Sequence, residues 1–205
     1  MAVKDQRLNP LILESAKQVF FEKGFNNATL RDIAKRANVA TGAIYTRYKG
    51  KEELFEAMVK PALDIIERTN IKMYELNIER KENNNMKYNA ENGFDYLKTW
   101  IDVFYSEYDA MKMLLCKAKG SNYSNYLHNF TEKNAELTFS FIEELKKRGM
   151  SNNDMTYKEL HILLTSYWTT LFEVIIHDFS YEEAIEFAKK INIFFNWKDI
   201  LDFYR

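Results

Sequence analysis

The stretch that decides the fold runs from residue 28 to residue 54 and reads ATLRDIAKRANVATGAIYTRYKGKEEL. It begins with a capping box, because the Thr29 hydroxyl can accept a hydrogen bond from the main chain of Asp32 while the Asp32 carboxylate returns to the cap. Asn38 tolerates the left-handed conformation that ends a helix, and a second helix is predicted over about Thr41–Tyr48. The stretch therefore predicts two short helices joined by a tight turn.

The second of these helices has the chemistry of a helix that enters the major groove of DNA. Tight helical hairpins also occur as purely structural elements, so the geometry alone favours DNA binding only weakly. The first turn, Thr41-Gly42-Ala43, carries one hydroxyl and two small side chains, which lets the backbone approach base edges. Phenols and cations suited to phosphate oxygens follow at Tyr45, Arg47, Tyr48, Lys49 and Lys51. The alternative interpretation is a solvated basic helix.

The same residues carry a resemblance to a known family. From Ala28 to Leu54 the sequence closely resembles the DNA-binding region of the TetR family of bacterial repressors, and the match is strong over about residues 9–60. The resemblance implies that Thr29, Tyr45 and Lys51 touch phosphates, and that Arg31 reaches a base or a phosphate. It also implies that Thr41, Gly42 and Ala43 read bases, with Arg47 at a variable position. Two departures are Asn38 in place of the usual Gly and Arg47-Tyr48 in place of a more aromatic ending.

Length and composition favour an all-α protein of two domains. The chain has 205 residues, 46% of them hydrophobic, with only 6 Gly and 2 Pro to interrupt helices. We predict a three-helix helix-turn-helix domain at 1–51 and a larger helical bundle at 52–205, about nine helices in all. A linker helix over about 52–78 continues through Pro61, because its apolar positions keep their phase there. The later helices are predicted at about 93–109, 110–119, 123–147, 156–178 and 181–203.

Charge divides along the chain in the same way. Residues 1–60 hold 11 Lys and Arg against 7 Asp and Glu, a net charge of +4, whereas the rest of the chain has −5 and the whole has −1. We therefore expect only the N-terminal head to meet a polyanion. The polar N-terminus, the lack of a membrane span and the single cysteine, Cys116, predict a cytoplasmic protein without disulfides.

A dimer and a small-molecule effector are expected from the C-terminal body. One helix-turn-helix buries little surface, so such proteins usually bind as homodimers to two half-sites of a palindromic operator. The helix patterns and the family resemblance place the dimer interface at Tyr167, Leu171, Ile175, Ala184, Phe187, Ala188, Ile191 and Phe195. Abundant aromatic residues favour a pocket for an apolar or aromatic ligand, with candidates Trp100, Phe104, Tyr108, Phe139 and Trp168.

Catalysis has little support in the sequence. The three histidines, His128, His161 and His177, lack a metal-ligand spacing, and no nucleophile stands beside a recognisable base, so we expect no enzyme, no metal and no cofactor.

Two alternatives to a ligand-released repressor stay open. One is a ligand-independent activator or architectural DNA-binding protein, and the other is an enzyme or partner-binding helical module with a vestigial helix-turn-helix.

Overall fold

The computed structural model describes residues 8–83 and 90–201, and the regular structure of these residues is helical. This confirms the predicted all-α class. No helix in the described ranges is long and apolar enough to cross a membrane. Ten helices occur in these residues: α1 Leu8–Asn27, α2 Leu30–Arg36, α3 Thr41–Tyr45, α4 Lys51–Glu82, α5 Ala90–Ser106, α6 Tyr108–Cys116, α7 Tyr126–Lys147, α8 Tyr157–Ile176, α9 Tyr181–Phe194 and α10 Trp197–Leu201.

The chain divides into two compact units. The first contains the chain up to Asp64 together with Glu107–Asn125, and the second contains Ile65–Ser106 together with the chain from Tyr126 onward. The helix-turn-helix therefore shares its unit with the first part of α4, with α6 and with the segment that follows α6. This unit is larger in sequence than the predicted 1–51 domain, because residues distant in the chain complete it.

The first unit is built around three phenylalanines. The ring of Phe55 lies 5.1 Å from Phe20 and 5.1 Å from Phe25, both in edge-to-face geometry, and all three side chains are buried. Gly24 interrupts the helical conformation of α1 with a φ of 70°, a value that glycine adopts without steric cost. This interruption allows the chain to bring Phe25 back against Phe55.

The second unit has a larger aromatic core, formed between α5, α7 and α8. The indole of Trp168 lies 5.0 Å from that of Trp100 and 4.9 Å from the ring of Phe130, in both cases edge to face. Phe172, one turn further along α8, stacks on Phe104 at 5.0 Å. These five rings, which we call the aromatic cluster, are all buried.

The predicted helix at 181–203 is wrong in one respect, since its described part, residues 181–201, forms two helices, and residues 202 and 203 lie outside the described residues. The chain leaves helical geometry at Phe195, whose ψ is 69°, and a short helix restarts at Trp197. Phe195 and Trp197 both pack against Tyr167, with their ring centres 5.3 and 5.5 Å from the centre of the tyrosine ring. Side chains two positions apart point to different sides of a helix, so burying both against one ring requires the break.

Candidate functional site

The predicted capping box and left-handed turn are both present. The main-chain N–H of Asp32 donates to Thr29 Oγ1 at 3.1 Å, and the Thr29 N–H donates to Asp32 Oδ2 at 3.1 Å. Asn38 has a φ of 52°, which confirms its left-handed conformation between α2 and α3. Lys23 and Thr29 hold the pKa of the Asp32 carboxyl at about 2, so the cap is ionised in neutral solution.

Two ion pairs fix α2 against α1. Arg36 donates to both carboxylate oxygens of Glu22, at 2.6 and 2.8 Å, and Lys23 lies 2.9 Å from Asp32. The paired guanidinium lowers the pKa of the Glu22 carboxyl. These contacts pair two cations of the basic head with carboxylates.

The second helix of the motif is shorter than predicted. α3 covers Thr41–Tyr45, whereas Thr41–Tyr48 was expected, and the chain beyond it continues as a turn. Arg47 contributes to this ending, because its guanidinium folds back to donate to the main-chain oxygen of Ala43 at 2.9 Å. Tyr48 is half-buried, and burial followed by the charge of Glu53 raises its phenol pKa.

The structure brings the ten predicted DNA-binding residues together in the first unit, on or beside α2, α3 and the start of α4. Tyr45 is 59% exposed although its neighbour Ile44 is completely buried, so α3 keeps one face in the core and turns the other outward. The exposed members are Thr29, Arg31, Gly42, Tyr45 and Lys49, and the half-buried members are Thr41, Ala43, Arg47, Tyr48 and Lys51.

Lys51 makes contacts that the sequence did not suggest. Its ammonium group donates to the main-chain oxygens of Phe25 at 2.7 Å and Ala28 at 3.1 Å, and it lies 4.2 Å from the centre of the Phe25 ring. The lysine therefore joins the first turn of α4 to the end of α1. Its contact with a phosphate stays a prediction, beside this structural role.

Comparison with known proteins places the motif in a family. Residues 12–58 match the model described as bacterial regulatory proteins, tetR family. The chain is 36% identical over 61 residues to the HTH-type transcriptional regulator YfiR of Bacillus subtilis, a match that covers 30% of this chain and only 29% of that relative. It is 24% identical over 157 residues to IcaR of Staphylococcus aureus, named as a negative transcriptional regulator of the biofilm operon icaADBC, covering 77% of this chain and 80% of IcaR.

Residues 12–58 therefore belong to the tetR family of bacterial regulatory proteins. Solved structures of transcriptional regulators share the fold of this chain over nearly its whole length. A TetR-family protein from Syntrophomonas wolfei aligns with a TM-score of 0.56 at 21% identity, covering 92% of this chain and 94% of the other. FadR of Bacillus subtilis, solved in complex with stearoyl-CoA, aligns with a TM-score of 0.52 at 16% identity, covering 90% and 95%.

The predicted ligand-binding residues of the chain fall in different places. Trp100, Phe104 and Trp168 meet in the aromatic cluster of the second unit. Phe139 instead packs on Tyr157, and Tyr108 begins α6 in the first unit. Sequence reasoning did not select Phe130 and Phe172 for this site, although Phe172 lies one helical turn after Trp168 and so shares its face.

The predicted dimer residues are mostly enclosed by the chain itself. Of the eight, all but the half-buried Phe187 are buried within the second unit. The apolar side chains that α8 and α9 leave exposed are Ile162 at 62%, Ile193 at 78% and Phe194 at 81%. The last two line an open groove together with Thr170, Phe187, Lys190, Ile191 and Phe195.

Replacing Lys51 by Met should destabilise the protein in the absence of DNA. The change keeps the apolar stem but removes the charged donor from two main-chain oxygens, which we expect to lower the free energy of unfolding by about 2 kcal/mol. Urea-induced unfolding followed by circular dichroism measures this. Lys49→Met is the matched control, since Lys49 is exposed, and equal effects of the two substitutions would contradict the structural role of Lys51.

Proposed function

We propose that the protein is a cytoplasmic transcriptional repressor that binds a palindromic operator as a homodimer and leaves it when a small molecule binds. One observation carries the DNA-binding part. The start of α2 is capped and α2 is paired with α1, while Thr29, Arg31, Gly42 and Tyr45 remain exposed along the α2–α3 motif. Phosphate contacts from Thr29 and Tyr45 would fix the position on the duplex, and the start of α3 would read the bases.

Repression and release are supported by the comparisons and by the physics of the motif. IcaR is named as a negative regulator, and its similarity extends over 77% of this chain. A bound ligand weakens operator binding only if it binds more tightly to one particular conformation of the dimer. In that conformation the distance between the two DNA-binding domains does not match the distance between the half-sites. α4 is the mechanical candidate for this coupling, because it runs unbroken from the first unit into the second. The protein acts in this proposal by binding, without catalysis.

Selection of bound sequences from random DNA should recover a palindrome. Two substitutions should then distinguish contacts with phosphate from contacts with bases. Tyr45→Phe should weaken binding to all sequences alike, because the lost phenol would contact phosphate. Thr41→Val should instead change the preference between bases by about 1–3 kcal/mol at the affected pair. The control is Tyr74→Phe, at an exposed tyrosine of the second unit. Failure to select any sequence would refute the proposed function.

The homodimer is proposed to form through the exposed apolar surface of α8 and α9. Ile193 and Phe194 stand next to a groove with apolar walls, and two copies related by a two-fold axis can each place these side chains against the other. Such exposure of two adjacent large apolar side chains is costly in water unless a partner covers them. The dimer would set the two heads at a half-site spacing of about 34–36 Å or a multiple of it.

Phe194→Asp should convert the dimer to a monomer, because a carboxylate would then have to be buried without a partner in the interface. Sedimentation at micromolar concentration measures the change, and affinity for the palindrome should fall with it. Ile71→Asp serves as the control, since Ile71 is 54% exposed on α4. A Phe194→Asp protein that remains dimeric would exclude this surface.

The ligand is proposed to bind at the aromatic cluster and to carry a hydrogen-bond acceptor. The Trp100 indole N–H is buried and has no hydrogen-bond partner among the described residues, and the same holds for the Thr165 hydroxyl, three positions before Trp168 on α8. A ligand that displaced the neighbouring rings would bring an oxygen that accepts hydrogen bonds from these groups. The complex of FadR with stearoyl-CoA supports an acyl compound as a first choice.

Decanoate should therefore raise the melting temperature more than decylamine, which has a chain of the same length but a cationic head. Trp100→Phe keeps an aromatic ring and removes the donor, so it should abolish most of the decanoate effect. Trp197→Phe is the matched control, because Trp197 packs against Tyr167 and Phe195. The acceptor hypothesis is excluded if the two compounds shift the wild-type melting temperature equally.

A further inference from the structure

The first unit contains a basic segment from the middle of the sequence. Residues 117–125, which we call the α6–α7 segment, read KAKGSNYSN and contain two lysines and no acidic residue. Lys119 is exposed and Lys117 is half-buried, and within the described ranges neither has an ion-pair partner. In contrast, Lys17, Lys23 and Arg36 of the same unit are all engaged in ion pairs.

The α6–α7 segment is docked on the turn that leads into α2. The N–H of Phe25 donates to the main-chain oxygen of Lys117 at 2.8 Å. Gly120, with a φ of 91°, approaches Asn26 so closely that a Cβ there would lie 2.9 Å from Asn26 Oδ1. Three residues after Asn26 comes Thr29, the predicted phosphate contact at the start of α2. The residues on either side of Lys119 are therefore anchored near the end of α1, close in sequence to that predicted contact.

The other end of the α6–α7 segment is docked on the first turn of α4. The N–H of Asn122 donates to Glu52 Oε1 at 2.7 Å, and the ring of Tyr123 lies 6.4 Å from Phe55. This hydrogen bond gives the Glu52 carboxylate a main-chain partner, and burial followed by the charges of Glu56 and Glu52 raises the pKa of the Tyr123 phenol. Glu52 directly follows Lys51, a second residue predicted to face phosphate.

Internal hydrogen bonds order the segment before any partner binds. Ser121 Oγ donates to the main-chain oxygen of Ala118 at 2.7 Å, and the N–H of Gly120 donates to Ser124 Oγ at 2.8 Å. Ala118 itself is 4% exposed and anchors the segment in the unit. A cation presented on such a fixed segment costs little conformational entropy when it binds, apart from the lysine side chain itself.

We propose that the α6–α7 segment extends the DNA-binding surface, with Lys119, supported by Lys117, contacting the sugar-phosphate backbone of the duplex beyond the phosphate held by Thr29. The contact is with phosphate and is independent of base sequence. This inference rests on the proposed DNA-binding function. It adds to the helix-turn-helix a contact from residues far along the chain, which only the folded unit brings to the interface.

The salt dependence of binding to the selected palindrome tests the proposal. Lys119→Gln should lower the slope of log affinity against log salt concentration by about one, because one fewer counterion is released. Lys119→Arg should restore the wild-type slope, and Lys117→Gln/Lys119→Gln should lower it at least as far as Lys119→Gln alone. The matched control is Lys133→Gln, at an exposed lysine on α7 in the second unit, which should leave the slope unchanged.

The outcomes separate this inference from the proposed function. If the wild-type protein binds a selected palindrome but Lys119→Gln keeps its slope, the α6–α7 segment does not contact phosphate and the inference is overturned. Equal losses for Lys119→Gln and Lys133→Gln would overturn it as well, since the effect would then follow from net charge alone. If the wild-type protein binds no DNA in a salt-dependent way, the proposed function itself fails.

Discussion

The Lys51 ammonium group is the contact on which the shape of the first unit depends. It joins the start of α4 to the main-chain oxygens of Phe25, in the last turn of α1, and of Ala28, in the link between α1 and α2. The same turn receives the main chain of Lys117 from the α6–α7 segment. One cation thus fixes the geometry from which α2 begins, and the position of the motif that follows depends on it.

The proposed ligand response would have to pass between the two units of the chain. The chain passes from one unit to the other at three places, between Asp64 and Ile65, between Ser106 and Glu107, and between Asn125 and Tyr126. The first lies inside the continuous helix α4, and the other two flank α6 with the α6–α7 segment. In the proposed ligand response, a rearrangement of the aromatic cluster, on α5, α7 and α8, would act through these covalent connections.

Features set by neighbouring residues could be predicted from the sequence, whereas features set by distant contacts could not. The Thr29–Asp32 capping box, the left-handed Asn38 and the continuation of α4 through Pro61 depend on residues within one or two turns, and all three are present. The break before Trp197 depends on Tyr167, thirty positions away. For the same reason helical spacing identified the apolar faces of α8 and α9 but not which side chains the chain itself would cover.

Ion pairing explains why the net charge of the head locates the candidate DNA surface only roughly. Lys17, Lys23 and Arg36 contribute to the +4 of residues 1–60, yet each is neutralised by a carboxylate within the first unit. A cation already paired releases few counterions when it approaches DNA, because its own field is largely compensated. The position of the candidate DNA surface depends instead on where the described residues hold exposed cations that have no carboxylate partner. Lys119 is one such cation, and it lies in a segment outside the basic head.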